Sequence, residues 1–260
     1  MVSFPLNYYT NNISYRAAIS DKEIDSVKYA KQHFSDCYLM STVEALSNSE
    51  NGRQILKYQI QRNATTPGRI DCYLYKMNGE KEVYSVPTST VVNGYEKVYK
   101  HQPNDIIRSL NISINEYEKK HNTKPFVSKI GDKFKDYTFE YNSPSNFMKI
   151  LTGIKPVSIG ETSLNIDLIG YKDEVMKLFE RMDKERNFSF VISTGPKALD
   201  GHRWHVYVIQ NVDLKNNTIT VKEKRENTPK TMTIEEALKT FKSITGYFNS
   251  DLAPKNQPSV

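Results

Sequence analysis

Gln32-His33-Phe34-Ser35-Asp36-Cys37-Tyr38-Leu39-Met40-Ser41 places a cysteine where a polar turn becomes an apolar helix. Asp36 or Ser35 can cap that helix, and Val43, Ala45 and Leu46 carry it toward a core. A thiol at a helix start faces the positive end of the dipole and unpaired backbone N–H groups. Both favour the thiolate, which is the nucleophile. Taken alone, Cys37 also reads as a small buried hydrophobe without chemistry. The choice depends on whether a base and an orienting group occur elsewhere in the chain.

The chain has 260 residues, enough for one large domain or two lobes. A hydrophobic share of 38% with 11% aromatic residues fits a packed protein rather than disorder. No apolar run is long enough for a membrane span. Met1-Val2-Ser3-Phe4-Pro5-Leu6 lacks the basic and apolar regions of a standard secretory signal. The expected location is cytoplasmic, or outside the cell by a route without such a signal. The net charge is +6, but bases alternate with acids in Lys22-Glu23-Ile24-Asp25 and Lys222-Glu223-Lys224-Arg225-Glu226. That reads as solvated surface rather than a phosphate-tracking stripe, so nucleic acid is not an expected partner. Only two cysteines occur, Cys37 and Cys72, which excludes a disulfide scaffold and a four-cysteine zinc site. One disulfide between them stays open.

The two cysteines share the context Asp-Cys-Tyr-Leu, at Asp36-Cys37-Tyr38-Leu39 and Asp71-Cys72-Tyr73-Leu74. Their surroundings separate them. Residues 70–75 lead through Asn78-Gly79 into residues 83–86, a hairpin pattern that puts Cys72 in mid-strand. Cys72 therefore reads as structural. Helices are expected over residues 21–31, from Cys37 to about Asn48, over 53–61, from Asp105 to 122, over 146–151 before Thr152-Gly153, and over 172–184. Residues 124–141 read as loops with short strands. Residues 188–193 read as a strand, and 203–224 as a hairpin turning at residues 213–217. A helix capped by Thr233 follows, and residues 253–258 read as a frayed tail. The order is helix-rich, then strand-rich, which predicts an α+β protein of two lobes, 1–152 and 153–260.

A thiolate needs an imidazole in reach and a group that fixes its tautomer. His101 and His121 lie in polar contexts and read as solvent-facing, and His33 is too close to Cys37 to oppose it. His202 and His205 lie in Asp200-Gly201-His202-Arg203-Trp204-His205-Val206-Tyr207, at the mouth of the hairpin. A turn centred between Lys215 and Asn216 sets His205 opposite about Glu226 and within reach of Asn227. Glu223 competes as the imidazole's acceptor if a bulge shifts the register.

Together these pieces resemble the papain-like cysteine peptidases, most closely the calpain branch. Asp36-Cys37-Tyr38-Leu39 is similar to that branch's nucleophile segment. Phe147-Met148-Lys149-Ile150-Leu151-Thr152-Gly153 is similar to its Leu-Thr-Gly lobe connector. His205-Val206-Tyr207-Val208, with Asn211-Val212-Asp213 after it, is similar to the histidine strand. The similarity spans roughly residues 30 to 230, in the family's order. Three departures stand out. Lys31 holds the position of the family's oxyanion glutamine, with Gln32 one residue nearer the cysteine. The family's glycine before the histidine would match Gly201 and His202. Thr228-Pro229 replaces the Pro-Trp that follows the family's asparagine, with Trp204 as a candidate shield.

The resemblance implies a papain-like two-lobe fold and a calpain-like cysteine endopeptidase acting on protein or peptide substrates. It assigns Cys37 as nucleophile, His205 as base and acid, Asn227 as orienter and Gln32 as oxyanion donor. No cofactor or metal is implied by the core, and calcium dependence cannot be read from it. A deubiquitinase-like or transamidating enzyme on the same plan is the nearest alternative, and an inactive protease-like binding module is another.

Overall fold

The computed structural model describes residues 18–32, 36–88, 102–121, 143–160, 168–195 and 205–253. Among them it is mixed α+β, with seven α-helices and two antiparallel sheets. Ser20 opens α1 (Asp21–Ser26) with a reciprocal capping box to Glu23, and a 3₁₀ turn (Val27–Tyr29) continues it. The expected helix over 21–31 is thus shorter and tightens at its end. The next two helices are α2 (Cys37–Ser47) and α3 (Glu50–Gln59). The predicted Asn-Gly hairpin forms as β2 (Arg69–Tyr75) and β3 (Lys81–Pro87), and β1 (Ile60–Arg62) adds to its edge in the order β1-β2-β3. Then come α4 (Asp105–His121) and α5 (Pro144–Thr152). Ser143 caps α5, Pro144 occupies its first turn, and Gly153 ends it at φ 73°. A Cβ at Gly153 would also strike the ring of Tyr75.

The second half contributes β4 (Val157–Gly160), α6 (Leu168–Glu185), β5 (Phe188–Thr194), β6 (Val206–Asp213), β7 (Thr218–Lys222), β8 (Pro229–Thr233), α7 (Ile234–Thr240) and β9 (Phe241–Phe248). These six strands form one sheet in the order β4-β9-β5-β6-β7-β8. The hairpin β6–β7 is the one expected from sequence. β8 and β9 were not expected, although β9 lies inside the sheet between β4 and β5. Gly246 lets β9 approach β5, since a Cβ there would lie 2.2 Å from the Ser189 carbonyl oxygen.

The period of two along β5 and β6 divides the hydrophobic interior. Val191, Val206 and Val208 join the core that also holds α2, α4 and α5. Phe190, Ile192, Tyr207 and Ile209 join the opposite core, with Val175, Phe179 and Met182 of α6 and Ala237 of α7. β5 and the first half of β6 are therefore buried on both faces. Truncating one of these buried aromatics to alanine costs about 3–5 kcal/mol. The consequence for the site is rigidity: α2 packs across β5 and β6, so the first residue of α2 sits against the start of β6.

Residues 124–141, Ser35, His33, His101, His202, Trp204 and the tail from 254 onward lie outside the described residues. Among the described residues no helix is long and apolar enough to cross a membrane.

Candidate active site

Every residue of α2 is buried, including its one charged residue, Glu44. Cys37 opens the helix. Its sulfur takes backbone hydrogen bonds from Tyr38, in the helix's own first turn, and from Val206, the first residue of β6. One turn further on, Ser41 Oγ donates to the Val206 carbonyl at 3.0 Å. The peptide of Val206 is thus gripped from both sides by α2, and His205 is the residue immediately before it.

The helix start was expected to favour the Cys37 thiolate. The structure adds a stronger opposing effect. Burial pushes the thiol up to about 12, against the lowering hydrogen bonds of Val206 and Tyr38. Only 9 % of Cys37 is exposed. The capping expectation is also corrected. Asp36 makes no side-chain cap; its buried Oδ2 accepts from Asn111 Nδ2 of α4 at 2.8 Å. Both cysteines are free thiols.

His205 is 3 % exposed. Its backbone N–H donates to Thr194 Oγ1 at 2.9 Å, which fixes the start of β6 on β5. Its Nε2 lies 2.8 Å from Glu223 Oε1. Its ring stands edge-on to Tyr207, with centroids 5.1 Å apart. Glu223, not Asn227, is therefore the imidazole's partner, and the reason is register. From the turn, β6 and β7 pair as Asp213↔Thr218, Val212↔Ile219 and Asn211↔Thr220. An irregularity between Ile209 and Asn211 then shifts the pairing to Ile209↔Val221 and Val208↔Lys222. Continuing this register sets Tyr207 opposite Glu223, so His205 lies diagonal to Glu223 on one face.

Glu223 also ends the strand. Its carboxylate accepts the backbone N–H groups of Arg225 at 2.8 Å and Glu226 at 2.7 Å, which curls the chain away from the ladder. Burial pushes the Glu223 carboxyl up, but the hydrogen bond from His205 and those two backbone N–H groups prevail and hold it at about 2. It is ionised at neutral pH. Asn227 falls in the turn that follows, at φ 61°. Its Oδ1 accepts from Lys224 Nζ at 3.2 Å.

Gln32 lies buried just upstream of Cys37, and its backbone N–H donates to the Lys224 carbonyl at 2.9 Å. Cys37 thus meets the backbone of Val206, next to His205, and the Gln32 backbone meets Lys224, next to Glu223; the His205 ring itself pairs with Glu223 on the Tyr207 side of the strand, where Asn227 was expected. His121, expected to face solvent, is partly exposed; it also bonds Glu82 at 2.8 Å and lies tilted against Tyr117. Cys72 sits in β2, wholly buried, with burial raising it to about 12.

The charge run 222–226 is the clearest departure from expectation. Lys222 and Lys224 are not solvated; both are buried against Glu44 of α2. The signal was present in the sequence. A lone charged residue in a mostly apolar helix calls for a buried cation, and two lysines spaced by two on a strand share a face. Among the described residues no group of three His, Cys, Asp or Glu side chains is arranged to hold a metal. No family model matches the chain, and no curated protein matches it in sequence.

Proposed function

We propose that this chain is a cysteine endopeptidase of papain-like, calpain-like plan, working through Cys37, His205 and Glu223. The observation that carries the reading is the Val206 peptide: its N–H holds the Cys37 sulfur, while the adjacent His205 is held by a carboxylate. The thiol proton is assigned to the His205 imidazole, whose Nε2 is held by Glu223. Transfer of that proton gives a thiolate and an imidazolium, and the ionised Glu223 stabilises the imidazolium. The thiolate attacks the scissile carbonyl, and the imidazolium then protonates the leaving amine. Water hydrolyses the thioester by the same proton route. Gln32 and the Cys37 backbone N–H are assigned to the oxyanion, each donor contributing about 2.7–4 kcal/mol to the transition state.

One observation favours a second reading, a protease-like module that binds without catalysis: Cys37 is covered, and burial raises its thiol to about 12. Iodoacetamide labelling of the full chain, followed by peptide mapping, separates the two. The enzyme reading expects Cys37 to label faster than free cysteine at neutral pH, and Cys37→Ala to remove peptidase activity against an unstructured protein such as casein. Labelling no faster than free cysteine, with no hydrolysis by the wild-type chain, overturns the enzyme reading in favour of the binding module.

A further inference from the structure

Lys222 and Lys224 flank Glu223 and project to the opposite face of the strand end, toward α2. Lys222 Nζ donates to Glu44 Oε1 at 3.0 Å and to the Lys28 carbonyl at 2.7 Å. Lys224 Nζ donates to the other oxygen of the same carboxylate, Glu44 Oε2. It also reaches the carbonyls of Val27 at 3.2 Å and Lys28 at 3.3 Å. Glu44 is 1 % exposed and Lys224 is not exposed at all. Glu44 lies two turns along α2 from Cys37, so one helix carries both the nucleophile and the acceptor of this clamp. The Lys224 carbonyl receives the Gln32 N–H. Lys224 is therefore bonded to the helix of the nucleophile, to the backbone of the candidate oxyanion donor, and by a peptide bond to the imidazole's partner.

We propose that Lys224 is a positioning residue that sets Glu223 and Gln32 relative to Cys37; the inference rests on the catalytic reading above. Its physical basis is directionality. A buried ion pair adds little net stability over apolar groups of the same volume, because desolvation offsets its attraction. It does impose geometry, since both carboxylate oxygens and the ammonium hydrogens must point at fixed partners. An apolar contact between α2 and the strand end would hold the two together yet allow them to slide. A displacement of about 1 Å near a reacting centre costs about 100-fold in rate.

The test uses the full chain, with peptide hydrolysis, the pH profile of Cys37 alkylation and the thermal midpoint measured together. Lys224→Met leaves Glu44 paired with Lys222. It is expected to lower kcat about 10- to 100-fold with KM within about twofold. Its alkylation profile should narrow from both sides, because a misplaced Glu223 no longer stabilises the thiolate–imidazolium pair. A second variant, Glu44→Leu with Lys222→Met and Lys224→Met, replaces the whole cluster by apolar volume. It is expected to keep or raise the midpoint while losing the same activity, and it carries the test alone if Lys224→Met does not fold. Wild-type kcat and an unchanged profile in a folded variant overturn the inference and leave the catalytic reading standing. A wild-type chain that neither hydrolyses peptides nor labels at Cys37 overturns both.

Discussion

The sequence Asp-Cys-Tyr-Leu occurs twice in this chain, and the two copies have opposite fates. At residues 71–74 it is a strand segment: Cys72 points into the core, pairs across to Ile60 and Tyr84, and has the Ser113 hydroxyl beside it. At residues 36–39 it starts a helix whose first residue meets the strand that follows His205. Burial lifts both thiols to about 12, so acidity alone does not distinguish them. Each half of the molecule also has a histidine–glutamate pair at 2.8 Å, His205–Glu223 and His121–Glu82. What differs is tertiary placement. His205 immediately precedes the strand that the Cys37 sulfur touches, whereas His121 lies at the end of α4 with Lys76 and Lys120 around its glutamate. On the proposed reading, reactivity is a property of the junction between α2 and β6, not of the tetrapeptide.

Exchanging each cysteine breaks this comparison most severely. Cys37→Ala should abolish hydrolysis at unchanged thermal midpoint within a few degrees. Cys72→Ala should keep kcat and cost about 1 kcal/mol of stability, read from a denaturant titration, because it leaves a small void in a packed strand. Activity that survives Cys37→Ala, or disappears with Cys72→Ala in a folded protein, reverses the assignment. The two carboxylates come next. Glu223→Gln keeps a hydrogen-bonding group but removes the charge that stabilises the imidazolium, and kcat should fall about 100-fold. Glu82→Gln should leave kcat within about twofold, since its histidine has no part in the reaction.

Much of the fold was legible because its signals are local. The Asn78-Gly79 turn, the Ser143-Pro144 start and Gly153 stop of α5, and the Thr233 cap are each set by a few neighbouring residues. β9 was not legible, because a strand buried on both faces has no alternation to reveal it, and Gly246 breaks its apolar run. The site divided in the same way. Cys37 at a helix start and His205 at a strand start follow from local pattern. Glu223 in place of Asn227 depends on one extra residue in β6, and a single irregularity moves every later pairing by one. The Lys222–Glu226 run read as surface because alternating charge usually is; the burial of its two lysines depends on Glu44, more than 170 residues away.

Acid unfolding sharpens the comparison at smaller amplitude. Glu223 is lowered from its ordinary 4.5 to about 2 in the folded chain. A lowered carboxyl contributes stability that is fully present above 4.5 and is lost as pH falls from 4.5 toward about 2. Glu82 is lowered in the same direction, chiefly by the hydrogen bond from His121. Stability measured by urea titration should therefore decline through this window, and Glu223→Gln should flatten part of the decline. An equally steep decline in that variant places the acid sensitivity elsewhere.

The smallest effect is expected at Asn227, and it decides the orienter. If the imidazole were held by this amide, Asn227→Ala would lower kcat as far as Glu223→Gln does. In the geometry described, Asn227 touches Lys224 as one of several acceptors and occupies a left-handed backbone position. Alanine there should cost about 1–2 kcal/mol of stability through backbone strain, while glycine should recover most of that loss. Both variants should keep kcat within about threefold, and the ranking Glu223→Gln far below Asn227→Ala is the quantity to measure. Reversal of that ranking would mean that the imidazole leaves Glu223 for Asn227 when substrate binds.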